Sequence, residues 1–221
     1  MGGAFRVGAF RPRRPGLFFR EIGVNTVFLR LAFCLLLPAS MLVCAAQPVG
    51  SVAPPFETTA ALDGKVFTYS LRKELERGPV VVYFYPSAYT GGCNLQAHTF
   101  AERAEDFAAE GATIVGVSLD SIARLKEFSA DPEFCAGKFP TASDADGDIA
   151  KSFAVDVREA EPGKKDTRGD EITHGRAERT TFVITSDGKI HAVIGGLRPA
   201  ENVAQALAVV AQLAKQSAKR Y

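Results

Sequence analysis

The chain is short of charge imbalance, of histidine, of cysteine and of apolar runs long enough to cross a bilayer, and each shortage excludes something. Lysine and arginine total 26 against 25 acidic residues, a formal net charge of +1. Proteins that bind nucleic acid usually carry a clear basic excess, and none is present. There are three histidines; His174 and His191 have no metal-ligating partner at the required spacing, so no metal is expected. Four cysteines do not build a disulfide scaffold here. Cys34 and Cys44 lie in an apolar N-terminal stretch, which leaves Cys93 and Cys135 for the folded part, without the clustering of a zinc site. What is present, 221 residues at 47% hydrophobic and 23% charged, describes an ordinary globular protein.

The first 46 residues do not read as a domain. Arg6, Arg11, Arg13, Arg14, Arg20 and Arg30 face a single acid, Glu21, and LAFCLLLPASMLVCAA (31–46) follows without a charge. A basic region, an apolar core and a small-residue end form the layout of a secretory signal peptide, with cleavage near Ala45 or Ala46. The apolar run is shorter than the ~20 residues of a membrane span and is broken by Pro38. Export to a periplasm is therefore expected; a chloroplast-type organelle lumen and an uncleaved membrane anchor are the alternatives. Cleavage leaves 175 residues, enough for one domain with one core.

Residues 47–56, QPVGSVAPPF, read as an extended proline-rich linker, with the domain occupying 57–221. VVVYFY (80–85) is an unbroken β-branched and aromatic run stopped by Pro86, the pattern of a strand buried on both faces. ATIVGVSL (112–119) repeats it. Between them Phe100, Ala104, Phe107 and Ala108 recur at helical spacing and Gly111 ends the run, completing a strand–helix–strand unit with a parallel pair. A shorter helix carries Ile122, Leu125 and Phe128, with Asp120 or Ser121 as its cap. TTFVIT and KIHAVIGG flank Ser186-Asp187-Gly188 as a hairpin, and Pro199 opens a last helix marked by Val203, Leu207, Val210 and Ala214. The sum is an α/β fold, a central mixed sheet flanked by helices. Residues 158–178 are polar and turn-rich, and read as a surface loop free to move.

Chemistry concentrates at Pro86-Ser87-Ala88-Tyr89-Thr90-Gly91-Gly92-Cys93, where the first buried strand hands over to the helix. A cysteine in the first turn of a helix faces unpaired N–H groups and the positive end of the helix dipole, both of which favour thiolate over thiol. Thiolate is the form that a peroxide oxidises to sulfenic acid. Two glycines let the backbone approach a small substrate. A lone cysteine is ordinarily a small buried hydrophobe. Burial alone, however, does not call for a proline, a threonine and two glycines just before it.

PSAYTGGC resembles the P-x-x-x-T-x-x-C signature of the peroxiredoxins, and CNLQAHTF (93–100) is most similar to the Q type, the bacterioferritin co-migratory protein-like class, with its glutamine three residues after the cysteine. The likeness continues through GVSLDS (116–121), FPTASDADGDIAKSFAV (139–155) and RTTFVITSDGKI (179–190). It implies a thioredoxin-like fold and a thiol-dependent peroxidase acting on hydrogen peroxide and organic hydroperoxides, with no prosthetic group. By position Cys93 would be the peroxidatic cysteine, Thr90 the hydroxyl that bonds thiolate and peroxide, Pro86 its shield, and Arg179 the arginine that stabilises the thiolate and polarises the peroxide. Many Q-type members carry a resolving cysteine five residues on, where this chain has His98, a position given no chemistry. Cys135, resembling an alternative position on the helix after the second strand, would then resolve the sulfenic acid as a disulfide. A thioredoxin-like dithiol would recycle it. The resemblance also implies a monomer. Two alternatives stay open: a one-cysteine peroxidase reduced by external thiol, and a non-enzymatic redox sensor or holdase.

Overall fold

The computed structural model describes residues 47–219; the expected targeting segment lies outside the described residues. In chain order the elements are β1 (Glu57–Leu62), β2 (Lys65–Ser70), α1 (Leu71–Leu75), β3 (Val80–Phe84), α2 (Gly91–Ala109), β4 (Thr113–Ser118), α3 (Ile122–Ala130), β5 (Thr141–Ser143), α4 (Asp148–Ser152), β6 (Val157–Arg158), β7 (Arg176–Ala177), β8 (Thr180–Ile184), β9 (Ile190–Gly195) and α5 (Pro199–Ala218). Seven strands form one sheet in the order β2-β1-β5-β4-β3-β8-β9, and β6 pairs only with β7. β3, β4 and β5 run parallel, with antiparallel strands on both flanks, so the sheet is mixed.

The period-2 alternation of β3 divides the core in two. Val81, Tyr83 and Tyr85 face a layer built from Phe100 and Phe107 of α2, Leu125 and Phe128 of α3, and Val203 and Val210 of α5. Val80, Val82 and Phe84 face the other layer, with Leu71, Ala150, Phe153 and Phe182. A central strand buried on both sides needs apolar residues at every position, hence the unbroken VVVYF. Each fully buried phenylalanine contributes about 1.5–3 kcal/mol by leaving water. Pairing of Tyr83 with Gly116 across β3 and β4 is specific: a β-carbon on Gly116 would stand 2.7 Å from the Tyr83 ring carbon and hydroxyl.

Three expectations need correction. Segment 47–56 is not a free linker. Gly50 N–H donates to Ile190 O at 2.8 Å, Ala53 N–H to Gly188 O at 2.8 Å, and Ile190 N–H back to Ser51 O at 2.9 Å, so the segment adds a strand-like edge to the β8–β9 hairpin. The 158–178 region is not a free surface loop. Asp166 and Ile172 are buried, and Lys165 and Glu171 close an antiparallel bridge. Cys135 is not on a helix, because α3 ends at Ala130 and the cysteine sits in the following turn, next to Ala136 (φ +49°) and Gly137 (φ +66°). Asp131-Pro132 explains the break, since proline disfavours helical geometry in the residue before it. In α2, Ala108 is exposed although its spacing matches the buried Phe100 and Phe107.

Candidate active site

β3 ends where Tyr85 N–H bonds Val117 O at 3.1 Å, and the chain then turns through Ser87-Ala88-Tyr89 into α2. Tyr89 is buried with φ +57°, the left-handed region that tyrosine rarely adopts. Thr90 is the N-cap residue, and Gly91, Gly92 and Cys93 are the first three helical positions. Thr90 caps through its backbone: its carbonyl takes Asn94 N–H at 2.8 Å, whereas its hydroxyl donates to Ser87 O at 2.8 Å and makes no cap bond. The first-turn N–H groups are thus left without a side-chain cap, at the positive end of a 19-residue helix.

Cys93 is 2% exposed, and its Sγ takes a hydrogen bond from Arg179 Nη2 at 3.5 Å. Arg179 comes from the residue before β8, 86 positions along the chain, and a chain of amides fixes its angle. Its Nη1 donates to Gln96 Oε1; Gln96 Nε2 donates to Asn202 Oδ1 at 3.0 Å; Thr181 Oγ1 donates to the same oxygen at 2.6 Å; Asn202 Nδ2 donates to Ile194 O at 3.1 Å. Gln96, Thr181 and Asn202 are fully buried, so their polar groups carry a desolvation cost that only these bonds offset. A β-carbon at Gly92 would stand 3.3 Å from Arg179 Nη2 and would crowd the guanidinium where it reaches the sulfur. No ion pair forms between Arg179 and its neighbour Glu178 among the described residues. Pro86 and Arg179 share the wall of an open cleft with Arg158, Lys164 and Arg176.

The expected residues do not all converge equally. Cys93, Arg179 and Gln96 are joined by hydrogen bonds, and Thr90 stands at the head of the same helix. The Thr90 hydroxyl, expected on the sulfur, is committed to Ser87 O. Cys135 is a free thiol with no exposed surface, packed in the same core layer as Cys93. Burial pushes its pKa well up, and the nearby Asp131 charge adds to the shift, so it is held as the thiol. Tyr83 lies near both sulfurs; its buried hydroxyl has no hydrogen-bond partner, and desolvation foremost keeps it neutral. His98 is not idle: Nδ1 lies 3.0 Å from Glu133 O, tying α2 to the turn that carries Cys135.

Sequence reasoning missed the groups beneath the turn. Asp120, fully buried, accepts from Ser87 Oγ (3.0 Å), Ala88 N–H (2.8 Å), Ser118 Oγ (2.7 Å) and Arg124 Nε (2.9 Å), and its Oδ1 lies 2.9 Å from His174 Nε2. Burial alone would raise the Asp120 pKa, but the His174 hydrogen bond and charge, with the other donors, bring it below the usual value. For His174 burial opposes charge, and the hydrogen bond and charge of Asp120 outweigh it, so its pKa lies above the usual value. Asn202 and Asp120 could have been found only as polar residues standing at apolar-periodic positions.

A thioredoxin-like mixed sheet that presents a helix N-terminal thiol to a braced arginine defines a thiol-dependent peroxidase. Residues 49–193 match the model of the AhpC/TSA family. A chloroplastic peroxiredoxin Q of Triticum aestivum is 30% identical over 175 residues, covering 78% of this chain and 70% of its own. The crystal structure of a peroxidoxin from Mycobacterium tuberculosis superposes with a TM-score of 0.60 at 31% identity, over 73% of this chain and 95% of that one. The bacterioferritin comigratory protein of Xanthomonas campestris, solved to examine its alkyl peroxide reduction, gives a TM-score of 0.56 at 27% identity, over 71% and 91%. The chain belongs to the AhpC/TSA family and, within it, to the Q-type peroxiredoxins.

Proposed function

We propose that Cys93 attacks hydrogen peroxide and alkyl hydroperoxides and that Cys135 resolves the product. The single observation that carries the first step is Arg179 Nη2 at 3.5 Å from Cys93 Sγ, at the third position of α2. The thiolate attacks the distal peroxide oxygen: the S–O bond forms as O–O breaks, and the displaced alkoxide or hydroxide takes up a proton and leaves as ROH or water. Arg179 and the first-turn N–H groups face the charge passing between the oxygens. Thr90 Oγ donates to Ser87 O and so retains lone pairs to accept the peroxide proton and orient it.

In the second step the Cys135 sulfur attacks the Cys93 sulfenic sulfur, releasing water and closing a disulfide. A thioredoxin-like dithiol then reduces the disulfide to two thiols and becomes a disulfide itself. A buried thiol with a raised pKa is a poor nucleophile, so resolution requires the turn 131–138 to open and hydrate Cys135. That same burial favours a second reading, a one-cysteine cycle in which an external thiol reduces Cys93 directly. Treatment with one equivalent of hydrogen peroxide followed by alkylation and intact mass analysis decides. Loss of two hydrogens and both free thiols, mapped to Cys93–Cys135, supports the first reading. One added oxygen on Cys93 with Cys135 still alkylatable supports the second, and two unreactive thiols overturn both.

Two further readings come with this function. Residues 1–46 direct export, preferentially to a periplasm, which N-terminal sequencing of protein recovered from that compartment checks. The mature protein is a monomer, which sedimentation checks in reduced and oxidised states.

A further inference from the structure

Residues 166–174 are fastened to the turn before Cys93 at two separate points. At one, the fully buried Asp166 carboxylate takes Arg124 Nη2 at 2.5 Å, with Arg168 N–H at 2.8 Å and Asp170 N–H at 3.0 Å. Arg124 also donates to Ala88 O at 3.0 Å. Thr167 donates both its N–H and its Oγ1 to Tyr89 O, each at 2.8 Å, and the Arg168 guanidinium stands 3.5 Å from the centre of the Tyr89 ring. Burial pushes the Tyr89 phenol up to about 12, so the ring that Arg168 covers is neutral. At the other point His174 meets Asp120, which in turn holds Ser87 Oγ and Ala88 N–H.

Residues 166–174 thus form a strap, and every residue of Ser87-Ala88-Tyr89 is gripped either by it or by a side chain that it holds. A buried left-handed tyrosine persists only where its surroundings over-determine it. Tyr89 stands immediately before the N-cap, so its geometry fixes where α2 begins and where Cys93 falls relative to Arg179. A polar segment of this kind, if it served only as a connection between β6 and β7, would have no reason to bury Asp166.

We infer that Asp166, Thr167, Arg168 and His174 are positioning residues for the peroxidase reaction: they hold Tyr89 left-handed and so keep Cys93 at the third helical position under Arg179. None touches the sulfur. The inference rests on the reading of Cys93 as the attacking thiol.

Thr167→Val removes one hydroxyl bond while keeping shape, Thr167→Ser restores it, and Asp166→Asn removes the anion between Arg124 and Arg168. The two measurements are the rate constant of full-chain protein with hydrogen peroxide and amide hydrogen exchange over residues 87–94. Thr167→Val is expected to slow the reaction about two- to tenfold, the equivalent of one hydrogen bond. Asp166→Asn should slow it further, and Thr167→Ser should stay near the parent rate. Exchange should accelerate at 87–94 and not in β3 or α5. Unchanged exchange in Thr167→Val and Asp166→Asn would show that the strap does not hold the turn. Faster exchange with unchanged rates would show that the turn does not set reactivity, and either result overturns the inference alone. A parent protein inert to peroxide would overturn it through its premise.

Discussion

Gly92 and Gly116 are both glycines beside aromatic or cationic side chains, yet their substitution should fail in opposite ways. Gly92 is an ordinary helical residue, and alanine there gains about 1 kcal/mol of helix propensity. Its β-carbon, however, meets Arg179 Nη2 at 3.3 Å and Pro199 Cγ at 3.6 Å. Gly92→Ala should therefore fold at least as well as the parent while its rate with peroxide falls about tenfold. Complete loss of an oxyanion-type donor costs ~10²–10³, and displacement by a few tenths of an ångström costs less. Thermal unfolding and stopped-flow peroxide kinetics on one sample separate the two effects; a parent-like rate would contradict the role given to the guanidinium. Gly116 faces a ring that has nowhere to go, since Tyr83 stacks on Phe100 at 4.4 Å and Tyr85 at 5.3 Å and meets Phe139 at 5.9 Å. A β-carbon 2.7 Å from that ring overpacks the core, so Gly116→Ala should lose about 1–3 kcal/mol in denaturant unfolding.

At the scale of elements, the strap adds a pH dependence whose sign is fixed. His174 has its pKa raised by Asp120 in the folded state, so its contribution is complete below the ordinary histidine value of ~6.5 and is lost as pH rises through the raised one. Asp120 has its pKa lowered, so its contribution is present above the ordinary aspartate value of ~3.9 and is lost as pH falls through the lowered one. The pair thus stabilises most between about pH 4 and 6.5. Arg124 faces the same carboxylate and opposes charge on His174, while Ser87 and Ser118 add neutral hydrogen bonds. His174→Gln should be destabilised relative to the parent by an amount that is largest in that window, on the order of 1 kcal/mol, and declines as pH rises above it. Urea titrations at pH 5.5 and 8 check this, and a difference that grows with pH would reverse the assignment.

The same elements show what the sequence made legible. β3, β4, α2, the β8–β9 hairpin and α5 follow from apolar runs or periodicity, and Ser121 does cap α3 by accepting Arg124 N–H. Cys93 and Thr90 follow from a helix start after a buried strand. Arg179 entered only through the family resemblance, because an arginine beside a strand carries no local sign of a partner 86 residues away. The β1–β2 hairpin went unread because its alternation is weak, with Lys65, Val66 and Phe67 all exposed. The strap read as loop for a related reason. Its order comes from Asp166, Thr167 and His174 meeting groups 42 to 78 positions distant, and long-range polar pairing leaves no period to detect.

For the whole molecule, the near-zero net charge hides a division. Residues 1–46 carry six arginines and one acid, whereas residues 47–221 carry 20 cationic and 24 acidic side chains. The full chain therefore has a sequence pI near 7.7 only because the basic residues 1–46 offset an acidic remainder. On the proposed export, residues 1–46 bring the charge of a segment drawn toward anionic membrane surfaces, and their removal would leave a domain whose net charge favours solubility. Residues 47–53 are docked on the domain: Gln47 N–H bonds Phe153 O at 3.1 Å, and Gly50 and Ala53 pair with the β8–β9 hairpin. A cut after Ala46 would leave those bonds intact, whereas a cut several residues later would strip an edge from the sheet. Under the proposed cleavage, protein recovered from the periplasm should begin at or close to Gln47 and focus below pH 7, distinctly more acidic than the full chain. Isoelectric focusing with intact mass measurement checks both at once. A recovered species that retains the six arginines and focuses near the full-chain value would point instead to an anchored, unprocessed form.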